Sequence, residues 1–420
     1  MINISTFTRL FTVSLLATTL LGSCLKDKVT RTYAIYEAIY QTKDQVLSSV
    51  KSSTPVDIST PGKLYIYGKY IFLNEINKGV HIIDNANPSA PKNIGFINIP
   101  GNVDIAVKGS ILYADMYSDL LTIDISDPTN TRLVNNLPRI FPDRYFGVGY
   151  SADTSKVVVG WTKRDTTMEV NAAPPSSCFG CYYEVLQSSY SSASPAGSGA
   201  PGIGGSMARF SIVKEYMYAV GNFNLQVLSI ANPTKPQSLG SQPVGFGIET
   251  IYPFKDKLFI GSSNGMFIYS LSDPQAPSKE SSFEHARACD PVVADDQYAF
   301  VTLRSGNACG GTFNVLEVID VSDISQPKLL KSHSMSNPHG LAMDGNNVFV
   351  CDGKDGLKML DVSDPLLYKE LDKVSDIETY DVIAWNNTLL VVTKNGLNQY
   401  DYSDRKKMRF LSTLTINKKL

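Results

Sequence analysis

The sequence has almost no net charge. Thirty-eight Lys and Arg stand against 40 Asp and Glu in 420 residues, a formal balance of −2, with no long run of either sign. That excludes a general nucleic-acid binder, which needs concentrated positive charge to displace counterions. Histidine is scarce, with only His81, His285, His333 and His339. No G-x-S-x-G elbow, H-E-x-x-H pair, P-loop or doubled C-x-x-C set occurs, so none of the corresponding hydrolase, zincin, nucleotide or zinc-ribbon chemistries is marked. No apolar run is long enough to cross a bilayer. No cofactor and no metal is implied, and a monomer is expected.

Aromatics and apolar residues, in contrast, are plentiful. Hydrophobic residues make up 43% of the chain, enough for a large core. The 22 tyrosines and 18 phenylalanines favour strands over helices. Residues 1–23 read as a targeting segment. Arg9 supplies a positive n-region, Leu10 to Leu21 a short apolar stretch, and Leu21-Gly22-Ser23-Cys24 resembles a bacterial lipobox. Cleavage there would leave Cys24 to be acylated, and several acyl chains anchor a protein stably. Lys26-Asp27-Lys28 loosely resembles the charged surface-export tag of Bacteroidetes lipoproteins. The expectation is an exported protein, lipid-anchored to the outer membrane on its periplasmic or outer side.

A repeat fills the mature chain. An apolar strand is followed by Asp and then by a Ser/Asp/Asn-Pro turn. The anchors are Asp84, Asp124, Ser229, Ser270, Asp320, Asp361 and Asp401. Their spacing is mostly about 40 residues, the length of one propeller blade. Asp124 and Ser229 lie about two and a half such periods apart, so one degenerate unit is expected between them. The fold expected is therefore an all-β propeller of four-stranded antiparallel blades, eight in number, with seven as the alternative because the third unit departs from the pattern. Within the second unit, Asp104 to Lys108, Ile111 to Asp115, Leu120 to Ile125 and a strand from Arg132 read as the four strands. Gly109-Ser110 and Asn386-Asn387 suit hairpin turns. Each anchor carboxylate can accept backbone N–H bonds in its turn while proline fixes φ. A ring of metal-binding aspartates is disfavoured, because two anchors are serine.

The phrases Leu121-Thr122-Ile123-Asp124-Ile125-Ser126-Asp127-Pro128, Val318-Ile319-Asp320-Val321-Ser322-Asp323 and Met359-Leu360-Asp361-Val362-Ser363-Asp364-Pro365 resemble the LVIVD-repeat family of exported, propeller-like proteins. The resemblance covers nearly all of 62–420. It implies the fold and no particular reaction.

Three segments stand apart. In 24–61, Tyr33, Ile35 and Ile39 mark an extended stretch, and Thr42-Lys43-Asp44-Gln45 has the form of a capping box opening a short helix to about Lys51. Residues 165–208 read as an insertion, with Ser188 to Gly205 a loop rich in Ser, Gly, Ala and Pro. Its Cys178 and Cys181 read as a local disulfide in preference to a metal or redox site. Cys289 and Cys309 flank one hairpin and are placed to bridge, which would pin a glycine-rich loop. Cys351, within an apolar strand, reads as a buried free thiol.

Propeller ligands usually meet one face, made by the loops that lead into the inner strands and those joining second to third strands. On this plan the candidate lining is Glu75, Asp104, Arg144, Tyr145, Trp161, Glu249, Arg287, Asp290, Arg304, His339, Asp352 and Tyr380. Acids, arginines and aromatics together suit a polar ligand, a glycan or a protein surface. For each residue taken singly, a solvated loop position or an inter-blade ion pair is the commoner role. A non-catalytic binding scaffold of the cell envelope is the leading functional expectation. A channel enzyme acting on carbohydrate or peptide would need two carboxylates in reach, with Asp104, Glu249, Asp290 and Asp352 to test. A structural spacer with no particular ligand is the third reading.

Overall fold

The computed structural model describes residues 29–141, 156–170, 203–206, 208–284, 291–306 and 311–416. The described residues divide into two units. One is built from 29–40 and 158–170, and the other from the remaining residues.

The larger unit is a propeller of seven four-stranded antiparallel blades. Blade 1 comprises Pro61–Tyr67, Tyr70–Glu75, Gly79–Asp84 and Lys92–Asn98. Blades 2 to 7 span 105–137, 210–243, 248–284, 292–334, 341–374 and 379–415. Each blade is one continuous stretch of chain. The central strands are buried on both faces, as their near-continuous apolar runs require. Ile71, Phe72, Leu73 and Leu389 to Val392 are all buried. The hairpins turn where the sequence indicates, with positive φ at Gly109, Asn386 and Asn387.

At every blade the repeat phrase does the same local work. The anchors Asp84, Asp124, Ser229, Ser270, Asp320, Asp361 and Asp401 each accept the backbone N–H two residues on, at 2.8–3.5 Å. Three residues after each anchor a second Asx side chain repeats the bond: Asn87, Asp127, Asn232, Asp273, Asp323, Asp364 and Asp404 accept at 3.0–3.1 Å. The carbonyl that follows this second Asx then reaches the neighbouring blade. Tyr113 OH donates to Pro233 O at 2.8 Å, Tyr218 OH to Pro274 O at 2.7 Å, and Ser281 Oγ to Ile324 O. His333 Nε2 meets Pro365 O at 2.9 Å, Asn347 Nδ2 donates to Arg405 O at 3.3 Å, and Ser412 Oγ to Pro88 O at 2.6 Å. The last of these closes the ring from blade 7 to blade 1. Reciprocal amide bonds between Asn85 and Gln399, at 3.0 and 2.7 Å, complete the same joint. So does a shared core that includes Leu64, Ile71, Ile83, Ile383, Leu390 and Val392.

The outer strands carry a second repeated device. The pairing of third to fourth strand shifts register once in every blade. One residue of the outer strand is extra there: Ile94, Val134, Leu239, Glu280, Leu330, Leu371 and Leu411 in turn. A bulge on an edge strand twists its free backbone away from partners. Blade 1 has further cover at both edges. Lys51–Ser53 pairs with its outer strand and Ile203–Gly204 with its inner strand.

The chain leading into blade 1 follows its sequence signals. Thr42 and Gln45 form the capping box of a helix, Lys43–Ser48, shorter than expected because Lys51–Ser53 is taken up as a strand. Lys43 pairs with buried Asp119 of blade 2 at 3.0 Å, and Ser52 Oγ accepts Thr131 N–H at 3.2 Å.

The blade count corrects the expectation of eight in favour of seven. Among the described residues between Asp124 and Ser229 there is no further blade besides the start of blade 3. Lys156–Val170 is a strand, but it pairs with Val29–Thr42 in a two-stranded sheet. At 15 residues it is more than twice the length of a blade strand such as Asp119–Asp124. Within this smaller unit Arg164 pairs with Glu37 at 2.9 Å and Thr32 meets Thr167 at 3.1 Å. Tyr33, Ile35 and Ile39 lie in its first strand, extended as the sequence indicates.

Tyr218→Phe removes one inter-blade bond and strands the Pro274 carbonyl. It should cost about 1 kcal/mol of unfolding free energy in urea titration; no measurable loss would remove this bond from the account of the ring. Acid should act through the turns. Hydrogen bonds from the following residues hold the carboxyls of Asp84, Asp124, Asp320 and Asp361 below their ordinary value, and Arg409 and Ser403 hold Asp401 at about 2. A depressed folded pKa stabilises above the unfolded value and loses that contribution as pH falls through the folded one. The turns' share of the melting temperature, read as the difference between the native chain and Asp361→Ala, should therefore be constant from neutrality to about pH 4 and shrink below it.

Candidate functional site

The inner strands bring one position of each blade together. The residue just before the first regular pair of the inner strand is Lys63, Asp104, Arg209, Glu249, Pro291, Gly340 and Tyr380 in blades 1 to 7. Lys63 interacts electrostatically with Asp104, Arg209, Glu249 and Asp381, from blades 2, 3, 4 and 7. Such reach across non-adjacent blades means that these groups converge at the mouth of the central channel. Arg304, directly after the second strand of blade 5, faces Glu249, and His339 faces Arg304.

Arg209 staples three blades at this mouth. Its backbone N–H donates to Asp104 Oδ1 at 3.2 Å, Nη2 to Ile248 O at 2.8 Å, and Nε to Glu249 O at 3.3 Å. Nη2 also reaches Asn222 Oδ1 at 3.4 Å. Lys63 and Arg304 are almost fully covered, at 7% and 9% exposure, and burial lowers the proton affinity of both. Burial lifts the Glu249 carboxyl to about 7, against the pull of Arg209, Lys63 and Arg304. Burial, then the Arg304 charge, pushes His339 down to about 3, so its imidazole is neutral at ordinary pH. Its ring meets that of Tyr380 edge-on at 5.4 Å, and the Tyr380 hydroxyl donates to Glu378 at 3.1 Å.

Below the mouth the channel is occupied by the chain itself. Ile203–Gly204 runs along Tyr65 and Ile66 of blade 1. Ser206, fully buried, accepts the Leu341 N–H of blade 6 at 3.2 Å, and Ala208 O accepts Ile251 N–H of blade 4 at 2.9 Å. A Cβ at Gly204 would stand 3.0 Å from the Tyr65 ring, so any side chain there would press the ring aside by a few tenths of an ångström. The end of the segment read as a loop is thus an ordered plug.

Two candidate acids hold structure instead of facing a ligand. Glu75 accepts the N–H groups of Ser59 and Thr60 at 3.1 and 2.8 Å, pairs with Lys78 at 2.9 Å and bonds the Ser59 hydroxyl. Burial works to raise its carboxyl, but His81, 3.2 Å away, and these donors bring it to about 2. Asp352 is fully buried, accepts Ser336 N–H and Asn337 N–H at 3.0 and 2.7 Å, and pairs with Lys358 at 2.6 Å. Both tie down the loop leading into an inner strand, as Asp115 does with Val103 N–H and Asp104 N–H at 2.8 Å.

Of the remaining candidates, Asp104, Glu249, Arg304, His339 and Tyr380 meet at the mouth. Trp161 does not belong to the propeller, because its strand pairs with Val29–Thr42. Arg144, Tyr145, Arg287, Asp290, Cys24, Cys178, Cys181, Cys289 and Cys309 lie outside the described residues. Cys351 is a buried free thiol, as read, and burial pushes its pKa up. Among the described residues no cluster of three or more His, Cys, Asp or Glu could hold a metal ion, and no helix is long and apolar enough to cross a membrane. Sequence reading missed Lys63, Arg209 and Asp381. Aligning the units by strand register rather than by their Asp anchors would have put Lys63 and Arg209 beside Asp104. It also missed Phe223 and Phe246, on the loops of the same face, whose rings lie 5.4 Å apart. Phe246 is 68% exposed.

The family model for the LVIVD repeat matches residues 62–98, 101–137, 290–334 and 338–367. The chain carries LVIVD repeats. The matched LVIVD units are blades 1, 2, 5 and 6, whose anchors are all aspartate. Blades 3 and 4 have serine there, and blade 7 has Arg405 where most turns have proline. No curated protein matches the chain. Among solved structures, a protein from Lactobacillus plantarum is 13% identical with a TM-score of 0.53, covering 85% of this chain and 97% of that one. The computationally designed Ika8 protein is 10% identical with a TM-score of 0.50, covering 86% and 91%. At such identities the likeness to this LVIVD propeller is one of fold.

Asp352→Ala should cost about 2 kcal/mol in denaturant titration, because it leaves two backbone donors without an acceptor and Lys358 with Asp355 alone, 2.7 Å away. A loss below about 1 kcal/mol would return Asp352 to the ligand candidates.

Proposed function

We propose that this LVIVD propeller is a non-catalytic binding scaffold of the cell envelope, held to a membrane through acylated Cys24 and engaging its partner at the channel mouth. The plug carries this reading. Ile203 to Ser206, with Ala208, takes up space that a channel enzyme would need for substrate. Catalytic use of the mouth would also require exposed carboxylates. Asp104 is fully buried and Asp352 is consumed by backbone donors and Lys358. The exposed Phe223–Phe246 pair lies on the same face and offers a partner stacking area there.

Two experiments test the halves of this proposal. A photo-crosslinking residue at position 246 in the living cell should give a discrete adduct, while one at Leu239 on the outer edge of the same region gives none. Equal adducts at both positions, or turnover of a glycan or peptide panel by the purified chain, would refute the scaffold. Labelled palmitate should be incorporated by the native chain and lost in Cys24→Ala; labelling that persists in the variant would sink the anchor.

A further inference from the structure

The smaller unit carries apolar surface that its own two strands leave uncovered. Tyr33, Ile35, Tyr36, Ile39 and Tyr40, all in Val29–Thr42, are each 37 to 59% exposed. No other run of eight described residues exposes more than two large apolar side chains. Thr32 meets Thr167, Glu37 pairs with Arg164, and a Cβ on Gly160 would lie 3.6 Å from Ile39 Cδ1. The two strands therefore run antiparallel, and the stretch opposite Tyr33 to Tyr36 is Lys163-Arg164-Asp165-Thr166. Lys163, Arg164 and Asp165 are exposed, with Lys163 and Asp165 3.4 Å apart. Strand alternation puts Tyr33, Ile35 and Ile39 on one face and Tyr36 and Tyr40 on the other. The ribbon is thus divided across its width. One strand is apolar on both faces from Tyr33 to Tyr40, apart from Glu37, and the facing stretch of the other is charged.

We propose that the first strand of this ribbon lies in the headgroup layer of the membrane that holds Cys24, with its tyrosines and isoleucines against lipid and Lys163 to Asp165 toward water. The inference rests on the anchor half of the proposed function. Five peptide steps separate Cys24 from Val29, so at most about 17 Å of chain joins the acylated residue to the start of the strand. The apolar strand is held beside the bilayer surface whatever its own affinity, and a tethered contact of that kind forms at high effective concentration. Its chemistry suits the depth. Three of the five exposed residues are tyrosines, whose rings are apolar and whose hydroxyls stay wet, the character of aromatic side chains at membrane interfaces. An open sheet edge cannot enter the hydrocarbon, where its N–H and C=O groups would go unpaired, but among headgroups water still reaches it. A protein strand added to the ribbon is the rival occupant. It would be recognised through backbone bonds at an edge, and would draw neither on the tyrosine hydroxyls nor on the nearness of the anchor.

Photo-crosslinking residues at positions 36 and 163, in cells grown with labelled phosphate, read lipid contact directly. The position-36 chain should carry at least fivefold more labelled phospholipid than the position-163 chain. Equal labelling at the two positions overturns the division across the ribbon, and a protein adduct at position 36 in place of lipid overturns the occupant. No lipid adduct at position 36, with palmitate still incorporated through Cys24, overturns the lipid seat and leaves the anchor standing. Absence of palmitate incorporation overturns the anchor, and this inference with it. Because a bulky residue at position 36 can disturb the strand, amide hydrogen exchange is also measured on the native, acylated chain in vesicles of phosphatidylethanolamine and phosphatidylglycerol, with the Cys24→Ala chain beside the same vesicles as reference. Residues 29–42 should exchange at least threefold more slowly in the acylated chain, while 388–393 in blade 7 exchange alike in both. Equal exchange of 29–42 in the two chains overturns the proposal.

Discussion

The ring depends on one repeated hand-over. An Asx side chain folds each turn at the end of the third strand, and the next carbonyl is presented to a donor on the preceding blade. Tyr113, Tyr218, Ser281, His333, Asn347 and Ser412 supply those donors. The donors differ in chemistry and come from second or fourth strands. What recurs is the acceptor, whose position is fixed by two Asx bonds and, in most blades, by proline φ. A backbone carbonyl is tolerant of partner, so each blade can satisfy it with whatever its neighbour offers. Between blades 1 and 2, Gly95 lies against Pro128 O and the strand Lys51–Ser53 supplies the polar link through Ser52.

This explains why the fold was legible and the count was not. The anchor, the turn and the apolar runs are local, so Asp124, Asp320 and Asp361 announce their blades directly. Lys156–Val170 has the composition of a blade strand, with Val157, Val158 and Val159 in sequence. Its partner, Val29–Thr42, lies over a hundred residues away, and nothing local marks that pairing. The plug was hidden for a related reason. Gly204 and Gly205 look like loop punctuation, yet Gly204 is where the backbone runs close against the Tyr65 ring.

The candidate site was legible by position and opaque by role. Asp104, Glu249, Arg304 and Tyr380 were found because they sit near the ends of strands. Glu75 and Asp352 satisfy the same positional rule. What separates the groups is whether the carboxylate takes paired backbone N–H donors from the loop entering its own blade, as Glu75 does from Ser59 and Thr60 and Asp352 from Ser336 and Asn337, whereas Asp104 takes one, from Arg209 of the next blade. Loop conformation decides that, and residue type does not report it. The mouth also departs from the order of the rest of the ring. Its buried charges cost desolvation, seen in the shifted Lys63, Glu249 and His339, in a protein whose other inner positions are mostly apolar.

The continuity of every blade has one more consequence. Because the four strands of each blade are consecutive in the chain, and only blade 1 takes on outside strands at its edges, a whole unit can be duplicated or deleted in the gene without splitting a four-stranded sheet. Only two joints, each a carbonyl and its donor with the apolar surface around them, must then be remade. Such a scaffold can change its number of blades in single genetic steps, and the drift of blades 3, 4 and 7 away from the LVIVD pattern fits units that have been free to diverge separately.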